Sequence, residues 1–209
     1  MVKQFRLIDR RLKVVEEPPF QVMVCVHPAE EEKRYLVDTL KIDEHTLNSA
    51  LDPGELARVE FEPEHIATIY KHPATYIADD EFLFRVNVIG AFIFKDFLLI
   101  VSADDLPVPD GMIVPPGASP ISIFIHMMSR TISHFREHLK VIDRISDELE
   151  KKISASLSNQ HLIHLFSLQK SLIYYVEAIS SNDGLLERFR RYANRIGLKE
   201  VELEALEDT

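Results

Sequence analysis

Tryptophan is absent from the 209 residues, cysteine occurs once and glycine six times. A single cysteine excludes an internal disulfide and fits a reducing compartment. Cys25 lies in the apolar run QVMVCV, where a small buried hydrophobe is the expected role rather than a nucleophile. Positive charge is also scarce: 24 Lys and Arg stand against 34 Asp and Glu, a net charge of −10. That balance excludes a general nucleic-acid binder, because a phosphate backbone needs a basic surface. Long hydrophobic runs are missing as well. No stretch reaches the ~18 uninterrupted apolar residues of a membrane helix, and the nearest, VNVIGAFIFKDFLLIV, is broken by Lys95 and Asp96. The first residues, MVKQFRLIDRR, lack the apolar h-region of a signal peptide. These absences describe a soluble intracellular chain.

What is present divides in two. Residues 4–26 read as strands in QFRLI, LKVVE and FQVMVCV, set apart by charged or Pro-containing breaks. Helices are expected over 29–40, with acids in the first turn, and over 43–51, where Asp43 is a natural N-cap and Asp52-Pro53-Gly54 a stop. Strands return in ARVEF, HIATIYK and FLFRVNVIGAFIF, the last pairing as a hairpin with FLLIVSA across Lys95-Asp96. Five prolines and two glycines between Asp104 and Pro120 read as an irregular connector.

Beyond Pro120 the period becomes helical. Phe135, Leu139, Ile142, Ile145 and Leu149 step by threes and fours, the spacing of an apolar seam. A break at SLSN (156–159) precedes a second seam through Leu162, Leu165, Leu172, Val176 and Ile179. Two such helices joined by a short loop form an antiparallel hairpin. SSND (180–183) offers caps for a third helix carrying Leu185, Leu186, Phe189 and Tyr192, ended by Gly197. KEVELEALEDT starts a fourth, whose Val201, Leu203 and Leu206 have no room to complete a face, as if the helix belonged to a longer protein.

Few constellations carry chemistry. His134 and His138 stand at i, i+4 and His161 and His164 at i, i+3, spacings that place two imidazoles on one helix face. In an antiparallel hairpin the two pairs fall several turns apart, so a shared four-His zinc site is geometrically poor. His65 and His72, seven apart on a strand, point to opposite faces. Nucleophile elbow, Gly-rich phosphate loop, His-Glu-x-x-His and Cys/His arrangements are all absent from the sequence. The reading is a protein that is not an enzyme, with no cofactor needed for its fold.

The order of elements has a counterpart. HTLNSALDPGELARVEFEPEHIATIYKHP resembles the helix-turn-strand segment of CorA-type magnesium transporters. VIGAFIFKDFLLIVSADD is similar to that family's hairpin, and the stretches from ISIFIHMMSR to EKKI and HLFSLQKSLIYYVEAI to its long antiparallel helices. The resemblance runs from about Phe20 to Thr209 and lacks the family's Gly-Met-Asn sequence, which follows the first of two membrane helices.

The resemblance implies a mixed β-sheet with helices on both faces, an α/β/α sandwich, then a long helical hairpin and the start of a stalk helix. The expected parts are a mixed-sheet region (1–119), hairpin and third helix (120–196) and stalk start (197–209) within one cytosolic domain. It further implies a gating role on the cytoplasmic side of the membrane, and a homo-oligomer, a pentamer in the full-length protein. Partners would be other copies and the chain's own membrane helices, with no nucleic acid. Magnesium or another divalent cation would bind between neighbouring copies. The family's Glu-Asp pair for that ion matches Asn48 and Ser49, neutral residues that lose the charge holding a hard cation. Asp43, Glu44, Asp52 and Glu55 are nearby substitutes, and the stalk-side acid falls at or just beyond Asp208. Two other readings stay open: the zinc-transporting branch of the family, and a stand-alone oligomerising or partner-binding module on the same scaffold.

Overall fold

Alternation of side chains along the strands sorts the core into two layers, one on each face of a single sheet. In a computed structural model, which describes residues 2–76, 82–105, 111–115, 117–155 and 158–209, seven strands form that sheet. They are β1 (Val2–Ile8), β2 (Arg11–Val15), β3 (Val22–Val26), β4 (Arg58–Phe61), β5 (His65–Pro73), β6 (Val86–Phe94) and β7 (Leu98–Ser102). Their order is β2-β1-β3-β7-β6-β5-β4. Only the β3–β7 pair is parallel, so the sheet is mixed. The expected hairpin is β6–β7, closed by the Phe94 N–H donating to the Phe97 carbonyl at 3.0 Å across Lys95-Asp96.

Helices α1 (Glu30–Asp38) and α2 (Glu44–Ala50) follow β3. They cover one face, burying Leu36, Leu47 and Ala50 against Met23, Cys25, Ala67, Ile69, Phe92 and Val101. Asp43 caps α2 as expected, its carboxylate accepting from the Thr46 N–H at 3.0 Å. Cys25 is fully buried, and desolvation, reinforced by Glu32, pushes its thiol up to about 11. It is an inert core residue.

The opposite face is covered by α3 (Pro120–Ala155), α4 (Asn159–Ile196) and α5 (Glu200–Glu207). Ile123, Phe124, Met128, Leu186, Phe189 and Leu206 pack there on Val24, Tyr70, Ile89 and Ile100. Beyond the sheet, α3 and α4 continue as an antiparallel hairpin whose own core joins Phe84, Phe135, Ile142, Leu149, Leu168 and Tyr175. The seam expected on α3 is the one buried.

Three expectations need correction. The third helix does not start at 180–183, because α4 runs without a break for 38 residues to Gly197, which closes it at φ 69°. Ser181 and Asn182 cap nothing; they serve the sheet. Past the end of β4, the Asn182 amide donates to the Lys71 carbonyl at 2.8 Å and accepts from the Lys71 N–H at 2.9 Å, as a neighbouring strand would. Ser181 Oγ accepts from the Ala57 N–H at 2.7 Å.

The second correction concerns the seam of α4. Leu165, Leu172, Val176 and Ile179 are 39–66% exposed, with Phe166 and Ile173 beside them. The buried line is instead Leu168, Ser171, Tyr175, Ala178 and Asn182. Small and polar residues win the inner face because they fill narrow gaps and bond strand backbone, which leaves the larger apolar residues outside. Third, the connector is not wholly irregular. Its described part lies along β2, with the Leu12 N–H donating to the Met112 carbonyl at 3.0 Å and the Val114 N–H to that of Arg10 at 2.9 Å. Residues 106–110 and 116 of the connector, and 156–157 in the break between the two seams, lie outside the described residues.

Candidate regulatory site

The residues singled out around α2 occupy very different surroundings. Asn48 is exposed, whereas Ser49 is only 5% exposed and faces the sheet. Gly90 of β6 makes this approach possible: a Cβ placed there would lie 2.5 Å from that of Ala50. The helix therefore sits so low on the sheet that Ser49 is withdrawn from the surface, while Asn48, a neutral amide, stays exposed.

Most nearby carboxylates are already engaged. The Thr46 hydroxyl bridges Asp43 and Glu60, donating to Glu60 Oε2 at 3.0 Å and lying 3.3 Å from Asp43 Oδ2. The hydrogen bond from the Thr46 N–H, ahead of that from its hydroxyl, holds the Asp43 carboxyl below its ordinary range. Arg58 pairs with Glu55 and, at 2.8 Å, with Glu60. Asp52 is exposed and turns one oxygen back to the Gly54 N–H at 2.8 Å, leaving the other oxygen to solvent. Asp208 is the exposed C-terminal cap of α5. Because α2 packs on one face of the sheet and α5 on the other, a single chain does not bring Asp52 and Asp208 together. Among the described residues no three His, Cys, Asp or Glu converge on a point that would hold a metal ion.

The start of α5 is tied firmly to the rest. Glu202, 6% exposed, accepts from the Lys199 N–H at 2.9 Å and from the Ser119 hydroxyl just before α3. Arg190 of α4 donates to the Leu206 carbonyl at 2.9 Å. Any displacement of α3 or α4 near the sheet must therefore move α5.

The histidines regroup in a way that pairwise spacing did not show. His65 points to the α1–α2 face, against Phe92 and Phe94, and His72 to the other, as expected of an odd spacing. There His72 meets His134 at a ring separation of 5.2 Å, and His134 meets His138 at 4.3 Å. His164 packs instead on Phe82 at 4.7 Å, so the four helix histidines do not share a site. Period two along β5 puts His72 on the same face as Tyr70, and that was the signal available for the meeting with α3.

Comparison with known proteins fixes the family. A profile described as "CorA-like Mg2+ transporter protein" matches residues 23–209, and the chain belongs to that family. The cobalt/magnesium transport protein CorA of Methanocaldococcus jannaschii is 24% identical over 189 residues, covering 84% of this chain and 57% of that protein. The chain thus spans little more than half the length of this relative. The soluble domain of the M. jannaschii CorA superposes with a TM-score of 0.81 at 19% identity, over 99% of this chain and 85% of that one. The complete M. jannaschii CorA magnesium transporter gives 0.78 at 20% identity, over 99% and 67%. The chain has the fold of the CorA soluble domain, with its mixed sheet, flanking helices and long hairpin. Among the described residues, no helix is long and apolar enough to cross a membrane.

Proposed function

We propose that this chain is the regulatory part of a divalent-cation transporter or channel, placed on the cytoplasmic side of the membrane and assembled with copies of itself, as a pentamer in the full-length protein. The observation that carries this reading is the family match over residues 23–209, reaching into α5, the element expected to lead on toward a stalk. Relatives named for cobalt and magnesium transport point to a divalent cargo. Two structural features support the regulatory part. Helix α5 is locked to α3 and α4 through Glu202 and Arg190, a route for movement of the sheet region to reach whatever follows. The exposed stripe Leu165, Phe166, Leu172, Ile173 and Val176 on α4 is larger than the scattered apolar residues of ordinary monomer surfaces and suits contact with neighbouring copies.

Regulation by magnesium would run between copies. Asp52 of one copy and Asp208 of another are exposed acids on opposite faces, with Asn48 near the first in sequence. Such a set suits an ion that keeps most of its water, as magnesium does. No ion is needed to hold this fold together.

The test is to express the complete reading frame from which these residues come and measure uptake of Mg2+, Co2+ and Zn2+ by depleted cells. Two apolar segments of ~20 residues beyond Thr209, with Mg2+ or Co2+ uptake, support the reading. Uptake of Zn2+ alone places the protein in the zinc-transporting branch. A stop at Thr209 with no uptake overturns it in favour of a stand-alone module.

A further inference from the structure

We propose that His72, His134 and His138 form a proton-sensitive latch that holds the helical hairpin to the sheet and releases it on mild acidification. The three imidazoles come from two elements that are otherwise joined by apolar contacts. His72 projects from the end of β5, and its Nδ1 is buried with no hydrogen-bond partner. His134 and His138 project from successive turns of α3, their rings in edge-to-face contact with each other and, through His134, with His72. Tyr175 of α4 closes the group, its hydroxyl 2.6 Å from His138 Nδ1 and its ring stacked at 6.1 Å on the imidazole. Phe84, fully buried just before β6, packs edge-on against both His138 and Tyr175. One cluster therefore touches sheet, α3 and α4.

Such a cluster tolerates neutral rings and resists charged ones. Edge-to-face contact at 4.3 Å sets like charges together once two rings are protonated, and all three rings are part-buried. Burial, followed by the charges of His134 and His138, holds His72 down at about 3; burial, then His134, holds His138 at about 4. His134 is lowered too, by burial first, although Glu137 opposes this. The other ionisable groups near the cluster give little relief. Glu137 on α3 is exposed, Tyr175 on α4 is pushed further toward its neutral phenol by burial, and His164 on α4 faces Phe82. On β5, Lys71 points to the opposite face and reaches the Pro53 carbonyl at 3.1 Å, with Glu177, Asp52 and Glu55 as its acidic neighbours.

The sign follows from linkage. An opened hairpin exposes imidazoles with the ordinary value of 6.5, so between about 6.5 and about 4 the open form binds more protons than the closed one. Stability of the contact is full above pH 6.5 and falls as pH drops below it. For His72 and His138 alone, the open population rises about 100-fold from pH 7.5 to pH 5.5. Since Ser119, the partner of Glu202, stands directly before α3, release would reach α5. The latch is a property of the fold and does not depend on the transport reading, and its test measures opening rather than ion flux.

Hydrogen exchange of the whole chain followed by mass spectrometry, with EDTA throughout and correction for intrinsic rates, tests this between pH 7.5 and 5.5. The expected result is a rise of about 100-fold in the opening constant of segments 65–73, 131–142 and 168–178, with a much smaller rise in 22–26 and 98–102. His72→Phe should lower the rise by about tenfold. If that variant fails to fold, His138→Gln, which retains a partner for the Tyr175 hydroxyl, should lower the rise by about tenfold. An equal rise in every segment, or an undiminished one in His138→Gln, overturns the latch. A response seen only when EDTA is left out would make the cluster a metal site instead and likewise overturn it.

Discussion

Asp9 and Arg10 join β1 to β2 with φ of 51° and 63°, the left-handed pair that a two-residue hairpin turn demands. Neither residue is glycine, and a side chain in this region costs roughly 1–2 kcal/mol. The Arg10 side chain is exposed, while its carbonyl serves the Val114 N–H, a bond that needs no side chain. Arg10→Gly is therefore expected to raise stability by about 1 kcal/mol, the gain from relieved φ being partly offset by the greater freedom of an unfolded glycine. Urea unfolding monitored by circular dichroism would show it as a higher midpoint at unchanged slope; a lower midpoint would mean that Arg10 makes a contribution through its side chain. Gly90 poses the opposite case. Its replacement by Ala drives a methyl into Ala50 and should cost about 1–3 kcal/mol by overpacking. The loss should be accompanied by faster exchange in α2, the helix that must lift, and a neutral outcome would show that α2 can slide along the sheet.

At the level of elements, patterning exposed what local sequence controls and missed what only the tertiary structure decides. Period two marked the strands, Asp43 and Gly197 marked helix ends, and the period of α3 marked its buried face. These signals act within a few residues. The inner face of α4 departs from the apolar period because Ser171 and Asn182 are buried to bond the N–H of Phe84 and both backbone groups of Lys71. Such partners lie 87 and 111 positions away and leave no local trace. The same distance hid the candidate site: Asn48 and Ser49 were found by resemblance to a family segment, but the burial of Ser49 depends on Gly90. The tie of α5 makes a direct prediction. Glu202→Ala removes the acceptor for Ser119 and for the Lys199 N–H, and should loosen α5 by about 2 kcal/mol, the range of hydrogen bonds to a charged group. Protection from exchange over 200–207 should fall while that of β3 and β7 stays. Glu202→Gln, which keeps an acceptor oxygen, should lose less. Equal losses in both would point to the charge rather than the geometry as what holds the helix.

For the whole molecule the decisive question is whether a cation couples one copy to another. Within one chain Glu55 and Glu60 are paired with Arg58 and Asp43 is held by Thr46, and α5 presents Asp208 on the far side of the sheet. A magnesium ion therefore gains little from a lone copy; on the reading proposed above it gains from two, with Asp52 of one copy set beside Asp208 of another. Binding to the native assembly alone raises the melting midpoint as the ion concentration passes its dissociation constant. If the ion also links copies, that shift must grow with protein concentration and coincide with a larger sedimentation coefficient. Asp52→Asn and Asp208→Asn should each reduce the shift without lowering the metal-free midpoint, since both side chains are exposed. The exposed stripe of α4 separates two sources of association: Val176→Glu, at 66% exposure, should weaken assembly with or without magnesium, whereas the aspartate variants should act only in its presence. A shift independent of protein concentration would place the ion within one copy, contrary to the arrangement argued above. No shift in melting or sedimentation at any magnesium concentration would remove ion sensing from this part of the protein, and the coupling of α5 to α3 and α4 would then have to answer to another effector, with the histidine cluster as the nearest candidate.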